Sequence, residues 1–138
     1  MAEPLYAISI KQPWATLLIT GRKQIEIRTW STLRRGPVLI HAGRHADDRP
    51  EAWEPIMPDI RPLTRLTGGI IGRADLVECR TYADATAFAS DTALHLNAPE
   101  WFVTGPMYGF VFAEMRVIPF KRLPGNLRFF TVDPEVIA

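Results

Sequence analysis

The sequence contains a single cysteine, Cys79, and no long run of apolar residues. One thiol cannot form a disulfide within the chain or build a thiolate-rich zinc site, which favours a reducing compartment. No apolar stretch approaches the roughly 18 residues that a membrane-spanning helix requires. The first residues also lack the basic region that begins a signal peptide. We therefore expect a cytoplasmic protein with no membrane partner.

The protein also lacks a large net charge: its 16 Lys and Arg nearly balance its 15 Asp and Glu, which leaves +1. The overall charge therefore indicates no class of partner, but the charges are unevenly distributed. Residues 1–45 hold seven Lys and Arg against two acidic residues, a balance of +5. Residues 46–100 hold five against ten, a balance of −5. This asymmetry predicts a basic face built from the N-terminal third of the protein.

Long helices are absent from the pattern, since 12 prolines interrupt the chain and proline breaks a helix interior. With 138 residues, the chain has the length of one domain with a buried core, and we expect a single domain over residues 1–138. Residues 43–69 combine several prolines with dense mixed charge, so we interpret them as an irregular insertion. It is either an ordered lid over the basic face or a solvated spacer, and we favour the spacer.

Residues 8–30 carry most of the chemistry and are called here the N-terminal motif. The apolar run Leu5–Ile10 predicts a strand that leads into it. Pro13–Thr20 is predicted to be helical, because proline suits a first helical position and apolar residues recur there with helical spacing. Gly21 is placed to end that helix, after which the hydrophobic period changes to two. The motif is therefore predicted to contain a strand, a short helix, a basic turn and a second strand.

The polar chemistry of the motif lies on its turn and second strand. Glu26, Arg28 and Trp30 alternate with other residues, so they share one face of the predicted strand. The charged pair either contacts a ligand or forms a solvated ion pair of small energy, and the indole either stacks on a base or covers the core. Lys23, beside Arg22 and near Arg28, is either a lysine of lowered pKa that acts, when neutral, as a base with Glu26 as its partner, or an ordinary protonated lysine that holds a phosphate or Glu26.

Residues 9–30, SIKQPWATLLITGRKQIEIRTW, resemble the ASCH domain, a module named after the activating signal cointegrator of transcription. The shared patterns are S-x-x-Q-P-W-A-x-L-L across the helix and G-x-K-x-x-E-x-R-x-W across the turn and second strand. Looser matches follow at the Arg35–Gly36 turn, at IIGRADLVEC and at GNLRFFTVD. The resemblance implies an α+β fold, a mixed and mainly antiparallel PUA-like β-barrel with a few short peripheral helices. Short apolar segments separated by turn residues favour the same barrel.

The other elements are predicted from shorter patterns. The expected strands are Val38–Ala42, Ile70–Arg80, Tyr108–Ile118 and Leu127–Val132. Short helical segments are expected at Asp84–Ser90 and Asp91–Asn97, with one helical turn at Pro50. Gly72, inside a predicted strand, indicates a bulge or the close approach of another backbone.

PUA-like proteins are commonly linked to RNA, so the resemblance implies a nucleic-acid-binding module for RNA or another single strand. The residues expected to contact nucleic acid are Lys11, Lys23, Arg28, Trp30, Arg34 and Arg35. The cations would hold phosphates, and the indole would stack on a base. A nucleoside-like small molecule is the other partner considered, and no cofactor is expected.

An enzyme is the alternative function. Certain small ASCH proteins are amidohydrolases of N4-acetylcytidine that use a Lys, a Thr and a Glu, and their turn reads G-x-K-T-x-T-x-R. Lys23 and Arg28 match this turn, but Glu26 stands where the catalytic threonine is required. Lys23 and Glu26 would be the catalytic residues of such an enzyme. A ribonuclease fits the same basic face, although no acid and base can be assigned for it.

A cluster of possible metal ligands follows the third predicted strand, namely His41, His45, Asp47 and Asp48. The first histidine is expected on a strand and the second in a loop, so their spacing fixes no common coordination geometry. The chain has no second cysteine and no HExxH motif. We therefore predict no metal site.

Overall fold

The computed structural model of the protein describes residues 3–137, so residues 1, 2 and 138 of the expected domain lie outside it. The strands of the described chain are β1 (Leu5–Ile10), β2 (Ile25–Arg28), β3 (Gly36–Ala42), β4 (Gly69–Tyr82), β5 (Met107–Arg122) and β6 (Phe129–Val132). The α-helices are α1 (Trp14–Ile19), α2 (Pro50–Trp53), α3 (Ala85–Ser90) and α4 (Thr92–His95). Short 3₁₀ turns cover Arg61–Arg65, Pro99–Trp101 and Pro134–Val136. Within residues 3–137, no helix is both long and apolar enough to cross a membrane.

The strands form one six-stranded sheet in the order β2-β5-β4-β3-β1-β6. β1 and β3 run parallel, and the other four neighbouring pairs are antiparallel. The sheet curls until its two edges approach each other: the ring of Trp30, just after β2, lies 5.7 Å from the ring of Phe129 in β6, centroid to centroid. The expected α+β fold with a mixed, mainly antiparallel barrel is therefore confirmed.

Helix α1 fills the inside of this curled sheet. All of its residues are buried, and it packs against β3, β4 and β5. A side chain on Gly72 would overlap Ile19 of the helix, and the register of β4 shifts between Ile70 and Gly72. The bulge and close approach expected at this glycine are both present, because only a residue without a Cβ lets the helix lie this near the strand.

Residues 43–69 are packed onto the barrel, so the expectation of a solvated spacer is wrong. Ala52 and Ile60 of this segment are buried in the main core. The side-chain amide of Gln12, just before α1, donates to the backbone carbonyl of Leu63 at 3.1 Å. Apolar burial and a buried amide thus hold the insertion against the start of the helix, which a spacer exposed to water would not allow.

The two longest strands extend beyond their apolar patterns. Strand β4 covers Gly69–Tyr82 and β5 covers Met107–Arg122, and they pair along almost their whole lengths through three register shifts. Pairing with a long neighbour carries each strand past the residues whose periodicity predicts it. The helix expected at Pro13–Thr20 is shorter by one residue at each end, within the usual ambiguity of helix boundaries.

Candidate functional site

A cleft of about 910 Å³ opens at one end of the barrel, between the N-terminal motif, the first residues of the insertion and the loop before β6. This volume lies within the range of pockets that hold small ligands. Its charged lining residues are Lys11, Lys23, Glu26, Arg28, Arg44, Asp47, Asp48, Arg49 and Arg128. Six cations and three carboxylates give this lining a formal charge of +3, so the cleft favours an anionic ligand.

Three charged side chains of the motif form the floor of the cleft. The Lys23 Nζ lies 2.9 Å from Glu26 Oε1, and the Arg28 Nη2 lies 3.0 Å from Glu26 Oε2. The lysine side chain is 2% exposed and the glutamate side chain 9%. Glu26 and Arg28 lie on the same face of β2, which brings the carboxylate and the guanidinium together. Lys23 lies in the turn after α1 and contacts the other oxygen of the same carboxylate. We call these residues the floor triad.

Burial governs the protonation of the floor triad. Desolvation lowers the pKa of Lys23, assisted by the nearby charge of Arg28, even though Glu26 opposes the shift. Desolvation alone would raise the pKa of Glu26, but the charges of Lys23 and Arg28 outweigh it and hold that pKa below its ordinary value. Two cations around one carboxylate leave an excess positive charge in a buried place. The lysine is the cation of the triad whose protonation this burial acts on, because arginine does not deprotonate in proteins.

Arg28 has donor capacity that the protein does not use. Its Nη2 donates to the backbone carbonyl of Ser9 at 2.8 Å and also pairs with Glu26. Its Nε is buried and has no hydrogen-bond partner among the described residues. A buried N–H without an acceptor is costly. A ligand oxygen in the cleft would supply the missing acceptor after a shift of the guanidinium, since the Nε has no contact with solvent here.

One wall of the cleft is built from the insertion. Asp47 accepts a hydrogen bond from the Trp14 indole N–H at 2.8 Å and pairs with the Arg49 guanidinium at 2.6 Å. The hydrogen bonds from Arg49, followed by that from Trp14, hold the pKa of Asp47 far below its usual range despite partial burial. The Arg49 guanidinium lies 3.6 Å from the centroid of the Trp101 ring, and the Lys23 ammonium lies 4.3 Å from that of Trp14. Trp14 therefore links this wall to the floor triad, because it contacts both Asp47 and Lys23.

The opposite side of the cleft carries an aromatic surface. Trp30 is half-buried and meets Phe110 and Phe129 in edge-to-face contacts, with ring centroids 5.0 and 5.7 Å apart. The guanidinium of Arg128 lies over the indole, 4.9 Å from its centroid. Trp30 therefore both covers the end of the core and lines the cleft, so the two alternatives considered for it are compatible.

Four of the six residues expected to bind nucleic acid line the cleft, namely Lys11, Lys23, Arg28 and Trp30. Arg34 and Arg35 do not line it. The Arg34 guanidinium lies 3.5 Å from the centroid of the Tyr6 ring, and exposed Arg35 donates to the backbone carbonyls of its own loop. The structure thus places these two arginines on a neighbouring surface, separate from the floor triad.

The histidine considered as a metal ligand has both ring nitrogens occupied. His41 Nε2 donates to the carbonyl of Leu123 at 2.6 Å, and Nδ1 lies 3.0 Å from the hydroxyl of Ser9, which acts as the donor. Burial lowers the pKa of the imidazole, in keeping with a neutral ring. Among residues 3–137, no group of three or more His, Cys, Asp or Glu side chains is arranged to hold a metal ion. His41 instead joins β1 and β3 to the loop before β6.

Several residues of the cleft lie outside the N-terminal motif, and the motif does not predict them. Asp47 and Arg49 lie in the insertion, where mixed charge hides their pairing, and Arg128 follows the Pro124–Gly125 turn. The helical spacing of Trp14 with Leu17 and Leu18 predicts a place in the core. It is buried, as expected, and its indole N–H also holds the cleft wall. The one local indication of this wall in the sequence is the run Asp47, Asp48 and Arg49, a few positions after the predicted strand Val38–Ala42.

Comparison with known proteins gives relatives of this chain by sequence. Over 140 aligned residues it is 26% identical to human Activating signal cointegrator 1, a match that covers 95% of this chain and 23% of that protein. The mouse Activating signal cointegrator 1 is 31% identical over 87 residues, which cover 54% of this chain and 14% of that protein. The chain therefore spans less than a quarter of the length of the curated relatives that it matches.

Solved structures resemble the chain in fold. The ASCH protein from Zymomonas mobilis matches with a TM-score of 0.69 and 15% identity, over 95% of this chain and 89% of that one. A point mutant of the same protein matches with a TM-score of 0.68 and 15% identity, over 97% and 94% of the two chains. These neighbours confirm the PUA-like barrel.

The family model agrees with the fold and with the motif. The model described as the ASCH domain matches residues 8–118, which include the N-terminal motif and extend through most of β5. At the level of the family, this match supports a nucleic-acid-related module. The chain belongs to the ASCH domain family.

Proposed function

We propose that this protein binds RNA or single-stranded nucleic acid, with one nucleotide in the cleft. The observation that carries the proposal is a lining charge of +3 around a cleft of about 910 Å³. Phosphate attraction dominates the affinity of nucleic-acid-binding proteins, and a cleft of this volume holds a ligand of nucleotide size. A cytoplasmic location is part of the proposal, as is the absence of a membrane partner.

Each expected residue has a role in this proposal. Lys11 lies exposed at the cleft edge and contacts a phosphate, while Arg28 supplies its unused Nε to an oxygen of the ligand. Lys23 gives the floor triad a net positive charge and orients the Glu26 carboxylate through their ion pair. Trp30 stacks on the base, as aromatic side chains do in proteins that bind single strands. Arg34 and Arg35 hold the phosphates of nucleotides that leave the cleft along the neighbouring surface.

The test is a salt titration of binding. Fluorescence anisotropy with a labelled single-stranded RNA should show log affinity falling with log salt at a slope of about −2 to −3, if about three or four phosphates are contacted. Removing Arg28, Arg34 and Arg35 together should abolish most of that dependence. Arg116→Ala changes an exposed arginine of β5 that does not line the cleft, and serves as the control. Binding that ignores salt, or that survives the triple change, contradicts the proposal.

A second candidate is hydrolysis of a modified nucleoside such as N4-acetylcytidine. The observation that favours it is the floor lysine, whose burial lowers the pKa of its amine beside a carboxylate. A neutral amine in a nucleoside-sized cleft can act as a general base. Plain binding ranks above it because Glu26 occupies the place of the catalytic threonine, and a ribonuclease ranks lower still because neither a general acid nor a general base can be assigned for it.

Incubation with N4-acetylcytidine decides between these candidates. We expect no release of cytidine from the wild-type protein. Release that disappears in Lys23→Ala would place hydrolysis above binding, provided that the variant still unfolds cooperatively. Release that persists in this variant indicates a contaminating activity, since the lysine is the only amine of the floor triad.

A further inference from the structure

Arg128 occupies an unusual place beside the cleft. It precedes β6, is exposed, and lies with its guanidinium 4.9 Å from the centroid of the Trp30 ring. The N-terminal motif gives no indication of it, since it is about a hundred positions away in the sequence. Two cation–aromatic pairs of the described chain lie wholly in the cleft lining, Lys23 with Trp14 and Arg128 with Trp30, and only in the second is the cation exposed.

The backbone of Arg128 supports a role beyond packing. Its φ is +53°, in the left-handed region that side chains with a Cβ adopt at a cost. Glycine or asparagine is the usual residue in that region, and both occur a few positions earlier, at Gly125 and Asn126. Strained backbone at the rim of a cleft is a recognised feature of ligand-binding sites.

We infer that Arg128 and Trp30 are the two faces of a stacking slot, which takes the base of one unpaired nucleotide between the guanidinium and the indole. The inference rests on the proposed function and extends it by naming a residue that determines how the base is held. Planar guanidinium and indole groups both stack on aromatic surfaces. In the absence of a base, the arginine lies on the indole itself.

The geometry sets what must move. A base between two planar groups needs a separation of about 7 Å, or two contact distances of about 3.5 Å each. The present 4.9 Å distance must therefore grow by about 2 Å. Arg128 can provide this movement by side-chain rotation, because it is exposed and forms no ion pair among the described residues. Trp30 cannot move as easily, because two phenylalanines hold its edges.

The orphaned donor of Arg28 completes the slot. Arg28 and Trp30 lie two positions apart at the end of β2 and both line the cleft, as does Arg128. A base held against the indole would occupy the same cleft as Arg28, whose Nε has no partner among the described residues. That N–H can donate to a carbonyl oxygen of the base or to its phosphate. The slot therefore favours a nucleotide over a flat hydrocarbon of the same size.

The test compares oligouridine with an oligonucleotide of the same length that lacks its bases and keeps its phosphates. Arg128→Ala should weaken binding of oligouridine about three- to thirtyfold, the range of a desolvated cation–aromatic contact. The same variant should lose clearly less affinity for the abasic oligonucleotide, which loses one attracting cation but no stacking partner. Arg128→Lys keeps the charge without the planar surface, so it should bind oligouridine almost as weakly as Arg128→Ala, with an unchanged salt slope.

Two further variants serve as controls. Arg122→Ala removes another exposed arginine beside an aromatic ring, Phe120, that does not line the cleft, and should bind like the wild type. Arg128→Gly removes the side chain at a backbone angle that glycine accepts without strain, so it should bind oligouridine as weakly as Arg128→Ala and keep the wild-type midpoint of thermal unfolding.

The outcomes separate the two proposals. If wild-type protein binds with the expected salt slope but Arg128→Ala loses no affinity, or loses it equally for the abasic oligonucleotide, the slot is wrong and the proposed function stands. Full recovery of affinity in Arg128→Lys likewise overturns the slot, since charge alone would explain it. If the wild type binds neither oligonucleotide, both proposals fail.

Discussion

Two groups of cations stand close together in the sequence and behave differently in the structure. In the floor triad, Lys23 and Arg28 both contact the Glu26 carboxylate at the bottom of the cleft, and the lysine side chain is 2% exposed. The arginine loop, residues 31–35, holds Arg34 against Tyr6 and leaves Arg35 exposed. Both groups looked like phosphate contacts on composition alone. Only the first lies inside the cleft.

The difference shows that burial, more than charge, separates a site from a basic surface. A buried cation is constrained in position and protonation by its carboxylate partner, so its removal disturbs the whole fold. An exposed cation is screened by water and salt, and contributes chiefly long-range attraction. Variants of the two groups should therefore differ in kind: changes in the buried group should lower stability, and changes in the exposed loop should alter the salt dependence of binding.

Glu26→Gln should cause the largest loss of stability. It leaves Lys23 and Arg28 without their counter-charge in a buried place, and breaking such an arrangement costs about 3–5 kcal/mol. Urea unfolding should show this loss in the free energy of unfolding. Glu78→Gln is the matched control, because Glu78 pairs with Arg80 at the surface, with side chains 48% and 36% exposed, and should lose at most about 1 kcal/mol. Equal losses in the two variants would contradict the comparison.

Trp30→Ala should act on binding and stability together. Loss of base stacking should lower affinity for single-stranded RNA by about 1–3 kcal/mol with no change in salt slope. Loss of the contacts with Phe110 and Phe129 should also lower the midpoint of thermal unfolding. Trp30→Phe should recover part of both effects. A variant with reduced stability and unchanged affinity would assign the indole to the core alone.

Acid should destabilise the protein through its buried histidines. Burial lowers the pKa of His41 and His95 in the folded state. The unfolded chain then binds protons more readily, so this stability is complete above the unfolded pKa of about 6.5 and is lost as the pH falls towards the folded pKa. Unfolding by urea between pH 8 and 5 measures the effect. His95→Asn should flatten the dependence, and an unchanged dependence in this variant would contradict the prediction.

Arg35→Ala should have the smallest effect. The side chain is exposed and bonds only to carbonyls of its own loop, so stability should change by less than about 0.5 kcal/mol. If it holds one phosphate, the salt slope of binding should fall by about 0.7. Arg34→Ala should also flatten the slope, with an additional loss of stability from its contact with Tyr6. No change in slope for either variant would confine binding to the cleft.

Local patterns were enough to predict the N-terminal motif. The strand Leu5–Ile10 has the predicted bounds, and the alternation of period two placed Glu26 and Arg28 on one face. Such patterns depend on neighbours within a few positions, which the sequence shows directly. They cannot show whether a charged face is buried. The burial of Lys23 depends on Trp14, whose ring the ammonium contacts, and Trp14 is in turn bonded to Asp47 of the insertion.

Distant partners account for what could not be predicted. The cleft wall requires Asp47 to meet Trp14, and the aromatic side requires Arg128 to meet Trp30. Neither pair has a spacing that a helix or a strand would impose. The same limit applies to the insertion, where proline and charge suggested a spacer but the buried Ala52 contradicts it. Its apolar residues are too few and too irregular to show a period.

The hydrogen bonds of Gln12 and Trp14 have a consequence for synthesis on the ribosome. Trp14 bonds to a residue 33 positions later, and Gln12 bonds to carbonyls 51 and 54 positions later. At about 5–20 residues per second, several seconds separate the emergence of the helix from that of its last partner. The start of the helix therefore emerges more than fifty residues before its last partner, and its apolar face needs protection from aggregation in the interval.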